Sequence, residues 1–369
     1  MDSNSQYSIS CTPLDEIGAL ERDWLSLEKR ADNRFFTSWG WIGTWLKTYS
    51  PECDVLRAYA DSELVALGIL VRAKERRSLV LRSETIQLNQ TGDPAKDQLW
   101  IEYNGLLTDK AHHSLVTPAC VKYLCDCYPE WDELVVGAVT EDEALLFKNV
   151  GGLSRYNMWE APTFGVDLKA IRTSGVDYLS TLSRNTRYQI RRSIRRYEES
   201  GKLRIEFANN VEDALEYFDD ISPLHIDRWG EGLGQSGFAN PEFVRFHREL
   251  IRSVWPLGNI DVCRILIDEQ PIAFFYNFIY RDKVYFYLSG LKNESNSALK
   301  PGLVGHALCI QSYIDSGRNY YDFMGGGERY KASLGERHQG LCKIRFQKEL
   351  FKFRIEQQGR TIKHSVLRY

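Results

Sequence analysis

Two stretches far apart in this chain can be laid on each other without a gap, and that repeat limits the folds open to it more than any other feature. VLRAYADSELVALGILV, residues 55–71, matches VCRILIDEQPIAFFYNF, residues 262–278, at a constant offset of 207. Val55 falls on Val262, Arg57 on Arg264, Asp61 on Asp268, Val65 on Ile272 and Ala66 on Ala273. Each copy is β-branched and aromatic on both sides of a short polar turn, which predicts a hairpin. The order of elements after each hairpin repeats as well. A third strand is predicted at 78–86 and again at 284–288, then a loop, a helix, and a further strand at 131–139 and at 320–323. A shared order of elements predicts a tandem duplication.

The remaining elements fill in around the repeat. Ile17, Leu20, Trp24 and Leu27 recur at helical spacing within 14–29. Ser38 is a suitable N-cap for an aromatic helix carrying Trp39, Trp41, Ile42, Trp45 and Leu46, tryptophans that read as packing. Residues 99–103 read as extended, and a helix is predicted from Thr117-Pro118, with proline at its first position, to about 127. The glycines and Pro162 of 151–175 read as a linker. In the second half, strands are predicted at 260–267 and 271–280, a loop at 292–300 and a helix from 301 to about 316. Antiparallel meanders followed by a crossover helix and a last strand make an α+β fold. Domains are expected at 1–160 and 176–369.

Charge and cysteine content exclude some functions. The net charge of −3 in 369 residues does not fit a general DNA binder. The eight cysteines form no pair of CxxC clusters, so no metal site is expected. Reduced cysteines, an N-terminus without a signal-peptide pattern and no long apolar window lead to the expectation of a cytoplasmic protein. HExxH, Walker and Ser-His-Asp contexts are missing, which leaves hydrolase and NTPase readings without support.

Four stretches carry candidate chemistry. The most suggestive is NYYDFMGGGERYKASL, residues 319–334, a short strand that spills through three glycines into Glu328, Tyr330 and Lys331. Reactive groups are often presented this way at strand ends. Lys300-Pro301-Gly302 and Gly305 open the second-half helix, where bare first-turn amides suit a pyrophosphate. SRNTRYQIRRSIRRY, residues 183–197, holds six arginines and no acid. A helix there puts Ile190, Ile194 and Tyr197 on one side and Arg184, Arg187, Arg191 and Arg195 on another. Such arginines suit phosphate, a tRNA backbone or an anionic membrane surface. Finally, His225, Arg228 and Trp229 come after a predicted helix at 211–222, with a restart at Pro223 and a flexible, lid-like loop at 230–240.

Taken in order, these residues resemble a family. Leu182 to Arg196, Arg228-Trp229, Pro271-Ile272-Ala273, Pro301-Gly302, Tyr321-Asp322-Phe323 with its glycines, and Tyr330-Lys331 resemble the GNAT-type acetyltransferase domain of the CelD/BcsL group. That group is related to the FemABX aminoacyltransferases. The resemblance implies two tandem GNAT-like domains, each a mixed, mostly antiparallel sheet flanked by helices, the first degenerate. It implies acyl transfer to an amine or hydroxyl of a small or sugar-linked acceptor, in exopolysaccharide or cell-envelope synthesis. The donor would be acetyl-CoA or another acyl-CoA, lying against Leu288, Ser289 and Gly290 and the Lys300–Gly305 turn. Lys331 would stabilise charge and Tyr330 would orient or protonate the leaving group. Asp322 would position an amine, and His225 would act as base. Arg187, Arg191, Arg228, Trp229 and Glu328 would hold the substrate. One departure is plain: the usual pyrophosphate pattern of acetyltransferases is not met at 300–305. An aminoacyl-tRNA donor therefore stays open, as does a scaffold that has lost catalysis.

Overall fold

A computed structural model describes residues 6–77, 82–128, 130–148, 150, 152–232 and 234–356. Its strands are β1 (Ser8–Pro13), β2 (Asp54–Ala60), β3 (Glu63–Arg76), β4 (Arg82–Leu88), β5 (Leu107–Thr108), β6 (Glu133–Thr140), β7 (Leu153–Asp167), β8 (Leu203–Phe207), β9 (Ile260–Ile267), β10 (Gln270–Tyr280), β11 (Lys283–Leu291), β12 (Tyr320–Gly325) and β13 (Glu336–Lys348). The chain divides into two compact units, one of residues 1–160 with 341–369, the other of 161–340.

In the first unit the strands lie in the order β1, β2, β3, β4, β6, β13, with β5 paired to β3. Neighbours are antiparallel except β4 and β6. Helices Ile17–Glu28, Trp39–Tyr49, His113–Asp126 and Glu141–Lys148 belong to it. In the second unit the order is β8, β9, β10, β11, β12, β7, again antiparallel apart from one pair, β11 and β12. Both units are thus α+β, with a mixed, mostly antiparallel sheet flanked by helices.

The duplication holds at the level of single rungs. In the first unit Val55 pairs with Ile69, Leu56 with Gly68, Arg57 with Leu67 and Ala58 with Ala66, and the register then slips so that Tyr59 meets Leu64. In the second, Val262 pairs with Tyr276, Cys263 with Phe275, Arg264 with Phe274 and Ile265 with Ala273; the slip comes next, and Leu266 meets Pro271. Every rung, and the bulge itself, recurs at the same offset. The turn residues Asp61 and Asp268 share a left-handed backbone as well, with φ of 51° and 50°. A side-chain pattern alone does not dictate a bulge, so its recurrence is strong evidence of common descent of the two units.

The sixth strand of each sheet departs from expectation. Residues 153–167, expected as linker, form the long strand β7, and its residues 163–167 pair with β12. Residues 341–347, expected with the second domain, pair with β6 in the first unit. A strand pairing far along the chain leaves no local signal of its destination. Other differences are local. Residues 99–103 are not a strand: Trp100 and Tyr103 are left-handed, and only Glu102 forms a bridge, to Ala138. The helix expected from Thr117 begins at His113 and takes Pro118 into its body. The helix Val211–Trp229 runs through Pro223 without restarting. The predicted strand 78–86 is seen from Arg82, its first four residues lying outside the described residues, as do Gly151 of the expected linker and Leu233 of the expected lid.

The aromatic helix matches its expected cap and packing. Ser38 Oγ accepts from the Trp41 amide, and Trp24, Trp41 and Trp45 are buried.

Candidate active site of the second unit

The parallel pair at the centre of the second sheet is short. Lys283, Val284 and Tyr285 pair with Tyr320, Tyr321 and Asp322, and there the ladder stops. Beyond it β11 continues to Leu291 and β12 to Gly325 without a further rung, so the two strands part and leave a fork. The inner edge of β11 there offers backbone amides and carbonyls to an extended ligand, as a sheet edge does for an added strand.

Aromatic side chains gather at the fork. His306, buried on the helix Pro301–Asp315, stacks on Tyr330 with ring centres 5.2 Å apart. It meets Phe286 of β11 at 4.5 Å and Phe323 of β12 at 5.1 Å, edge to face. Its Nδ1 is hydrogen-bonded with Tyr321 Oη at 3.1 Å. Burial, and then the charge of Lys331, push the imidazole down to about 3, so it is neutral at physiological pH. Burial and Glu328 hold the Tyr330 phenol well above the usual tyrosine range, against an opposing pull from Arg228. Tyr330 is therefore a hydroxyl donor.

Lys331 lies in the short helix Arg329–Leu334 and is buried. Its Nζ donates to Gly325 O at 2.6 Å and pairs with Glu328 Oε2 at 3.2 Å. The glycine run explains how the ammonium fits. Gly326 has φ +142°, and a Cβ there would lie 2.5 Å from Lys331 Nζ and 2.2 Å from Glu328 Oε2. Just before the run's first glycine, Met324, a non-glycine residue, is held at φ +60°. Its amide donates to Asp322 Oδ1 at 2.7 Å. Strain of this kind persists only where neighbours enforce it. Asp322 thus holds the strand's exit in shape.

The other expected residues sort into two groups. Arg228 and Trp229, on the last turn of Val211–Trp229, are exposed and stack as cation and ring at 5.3 Å. Arg228 is close enough to bear on both Tyr330 and His225. His225 Nδ1, however, is hydrogen-bonded with Ser236 Oγ at 2.8 Å, and its ring faces Trp229 and Phe238. Burial and then Arg228 bring it down to about 4. It pins the 230–240 loop to the helix, and none of its partners is Tyr330 or Lys331.

Leu288 and Ser289 lie on the free stretch of β11. Gly290 and Gly305 are accounted for by packing. A Cβ on Gly290 would lie 3.0 Å from Ile221 Cα, and one on Gly305 only 2.2 Å from the Phe275 ring. Gly305→Val should accordingly lower stability by about 1–3 kcal/mol through overpacking, a loss readable by denaturant titration. At the helix start, Pro301 brings no N–H, Lys300 N donates to Ser193 Oγ at 2.8 Å, and a Cβ on Gly302 would meet Leu291 at 3.0 Å. The arginine helix, Arg184–Glu198, is capped by Ser183 and buries Ile190 and Tyr197 as expected. Arg187 donates to Ser180 O and Arg191 pairs with Asp177 at 3.6 Å. Arg184, Arg192 and Arg195 are exposed and have no carboxylate partner among the described residues.

The first unit shows what a closed fork looks like. Its parallel pair stops after Leu88 and Val136. Beyond that point the chain's own residues fill the gap: Glu102 bridges Ala138 and Asn104 N donates to Ala138 O at 2.9 Å. A Cβ on Gly137 would meet Asn104, Gln90 and Ile101, each at 3.0 Å.

These features define a class: an α+β protein of two units with the same sheet order and hairpin register, with an open strand fork in the second. Residues 184–332 match the family model of the acetyltransferase (GNAT) domain. Among solved structures, the fold is similar to that of FemX, at 11% identity over 94% of this chain and 99% of that one, TM-score 0.59. It is similar too to the C-terminal domain of a candidate lysylphosphatidylglycerol synthetase from Agrobacterium fabrum, at 10% identity over 90% and 93%, TM-score 0.53. L-PGS from Bacillus licheniformis gives 10% identity over 89% and 91%, TM-score 0.50. No curated protein sequence matches the chain. His306 is the residue that sequence reasoning missed; a lone histidine on an apolar helix reads as core, and residues 301–312 hold no aromatic that would hint at the rings gathered round it in the fold.

Proposed function

We infer that the second unit is an acyltransferase that moves an acyl group from a thioester donor to an amine or hydroxyl. The observation that carries this reading is the open fork with Tyr330 and Lys331 beside it. The donor, an acyl-CoA, supplies an activated acyl group. Its extended arm fits the free edge of β11 at 286–291, with Lys300 and the first-turn amides of the Pro301–Asp315 helix suited to its phosphates. The acceptor attacks the acyl carbon as a neutral amine or alcohol. Lys331 Nζ has one N–H beyond those directed to Gly325 and Glu328, and this N–H stabilises the oxyanion. The bond to sulfur then breaks, the Tyr330 hydroxyl protonates the departing thiolate, and the phenolate so formed takes up the proton that the acceptor nitrogen or oxygen gives up. Arg228 and Trp229 flank the approach, and the narrower resemblance to the CelD/BcsL group favours a sugar-linked acceptor.

Calorimetry with acetyl-CoA and longer acyl-CoAs tests this. Binding that Lys300→Ala weakens supports the reading, and no heat at about millimolar donor rejects it in favour of a scaffold. With His306 and His225 both neutral near pH 7, kcat/KM should show no histidine limb between about pH 5 and 8. A limb there that His306→Gln or His225→Gln removes would contradict the assignment.

Arg184, Arg192 and Arg195, exposed and without a carboxylate partner among the described residues, favour a second reading, an aminoacyl-tRNA donor. It requires salt-sensitive tRNA binding whose log–log slope falls by roughly 2–3 when all three arginines are changed to Gln.

A further inference from the structure

The first unit has a half-open cavity of about 460 Å³ where β6 ends. The segment that closes its fork, with Asn104 and Gly105, forms part of the wall, and Arg34, Lys110, His113 and Glu143 form other parts. None of these groups enters the reaction inferred for the second unit.

Glu143 is the telling residue. It sits in the first turn of the helix Glu141–Lys148. One carboxylate oxygen, Oε2, pairs with His113 Nε2 at 2.9 Å, and His113 Nδ1 is hydrogen-bonded with Thr108 Oγ1 at 2.7 Å. Strand β5 and two helices therefore fix this carboxylate. The hydrogen bond to Glu143 raises the His113 pKa above its ordinary value despite burial, which favours the charged pair. The other oxygen, Oε1, is buried and has no hydrogen-bond partner among the described residues. It faces Gly105, whose φ is +159° and whose missing Cβ would lie 3.2 Å away. A buried carboxylate oxygen without a donor is costly, and an ammonium is the donor that satisfies it best.

The cations on the wall complete the pattern. Lys110 has no carboxylate partner among the described residues, and Arg34 has only Asp32, at 3.2 Å. Thr37, Ser114 and Thr140 add hydroxyls to the lining. A volume of this size accepts a small molecule, and the few charged and hydroxyl groups on its wall are what would orient a hydrophilic one. The carboxyl end of a parallel strand pair is also where open sheets commonly take ligands.

We propose that this cavity binds a small hydroxylated zwitterion, its ammonium on Glu143 Oε1 and its anionic group on Arg34 and Lys110. The test is calorimetry on the full chain with glucosamine 6-phosphate as probe, beside glucosamine, which lacks the anion, and glucose 6-phosphate, which lacks the amine. Glucosamine 6-phosphate should bind at about millimolar Kd or tighter, and each half-probe about tenfold more weakly. Glu143→Gln keeps the side chain's shape. It should weaken glucosamine 6-phosphate about tenfold and leave glucose 6-phosphate unchanged. Lys110→Gln should weaken both phosphates and spare glucosamine. A melting curve like that of the parent protein checks that each variant is folded. No binding at about 10 mM probe, equal binding of all three, or indifference to Glu143→Gln overturns the proposal.

Discussion

Lys331→Met is expected to lower kcat for acyl transfer by about 10²–10³, with the KM for donor changed only a few fold. The size comes from where the ammonium sits. Its stem is buried and its position is set by Gly325 O and Glu328. An oxyanion formed at the fork meets an oriented donor, with no reorganisation needed during the reaction. Met keeps most of the stem's volume and removes the charge, so packing at the short helix survives while Gly325 O loses the lysine's hydrogen bond. Lys331→Ala removes the stem too and should add a stability loss to the same rate loss. Because the contact is stronger in the transition state than in the bound substrate, the effect belongs on kcat. Steady-state kinetics with a confirmed donor–acceptor pair decides the matter. An unchanged kcat in Lys331→Met would remove Lys331 from the chemistry, whatever happened to donor binding. Gly326→Ala offers an independent check, because its Cβ would fall 2.5 Å from Nζ. It should displace the ammonium and lower kcat with Lys331 still present.

Local pattern made part of this site legible. Tyr330 and Lys331 come after a glycine run that ends the strand β12, and within that run Gly326 leaves room for the ammonium. The hairpins were legible because strand alternation and turn chemistry act within a few residues, and their shared register confirms the repeat down to the bulge. The long-range pairings were not legible. Nothing within 341–347 says that these residues pair with β6 rather than inside the unit that precedes them in sequence. The closed fork of the first unit depends on a bridge between Glu102 and Ala138, which residues 99–103 do not announce. Gly290 and Gly305 invited a ligand reading because glycine near a helix start has two explanations, and only the positions of Ile221 and Phe275 choose between them. His225 was ambiguous in the same way until Ser236 appeared as its partner.

The ion cluster of the first unit was equally hidden, and Glu133→Ala should be the most destabilising single change considered. Glu133, on β6, has no exposed side-chain surface. Its Oε1 accepts from Arg77 and from Gln347 Nε2, the latter at 2.7 Å. Its Oε2 accepts from Ser83 Oγ at 2.5 Å and Arg345 Nη1 at 3.2 Å. Strands β4, β6 and β13 meet in this one carboxylate. Removing it leaves Arg345, whose side chain is 11% exposed, with Glu75 alone among its ion pairs. Breaking a buried pair from one side typically costs about 3–5 kcal/mol. Trp24, Trp39, Trp41, Trp45, Trp100, Trp131 and Trp159 all lie in this unit, so tryptophan fluorescence in urea reports mainly on it. The pH dependence has a definite sign. Burial pushes the Glu133 carboxyl up, but Ser83, Gln347, Arg77 and Arg345 together bring it below the usual glutamate range. Its folded pKa is therefore below its unfolded value of about 4.3. The stabilisation is complete above that value and is lost as pH falls through the folded pKa. The parent protein should lose stability more steeply than Glu133→Gln as the pH drops from about 5 towards 3. Parallel acid limbs in the two proteins, or a Glu133→Ala loss below about 1 kcal/mol at pH 7, would show that the cluster fixes strand register without stabilising the fold.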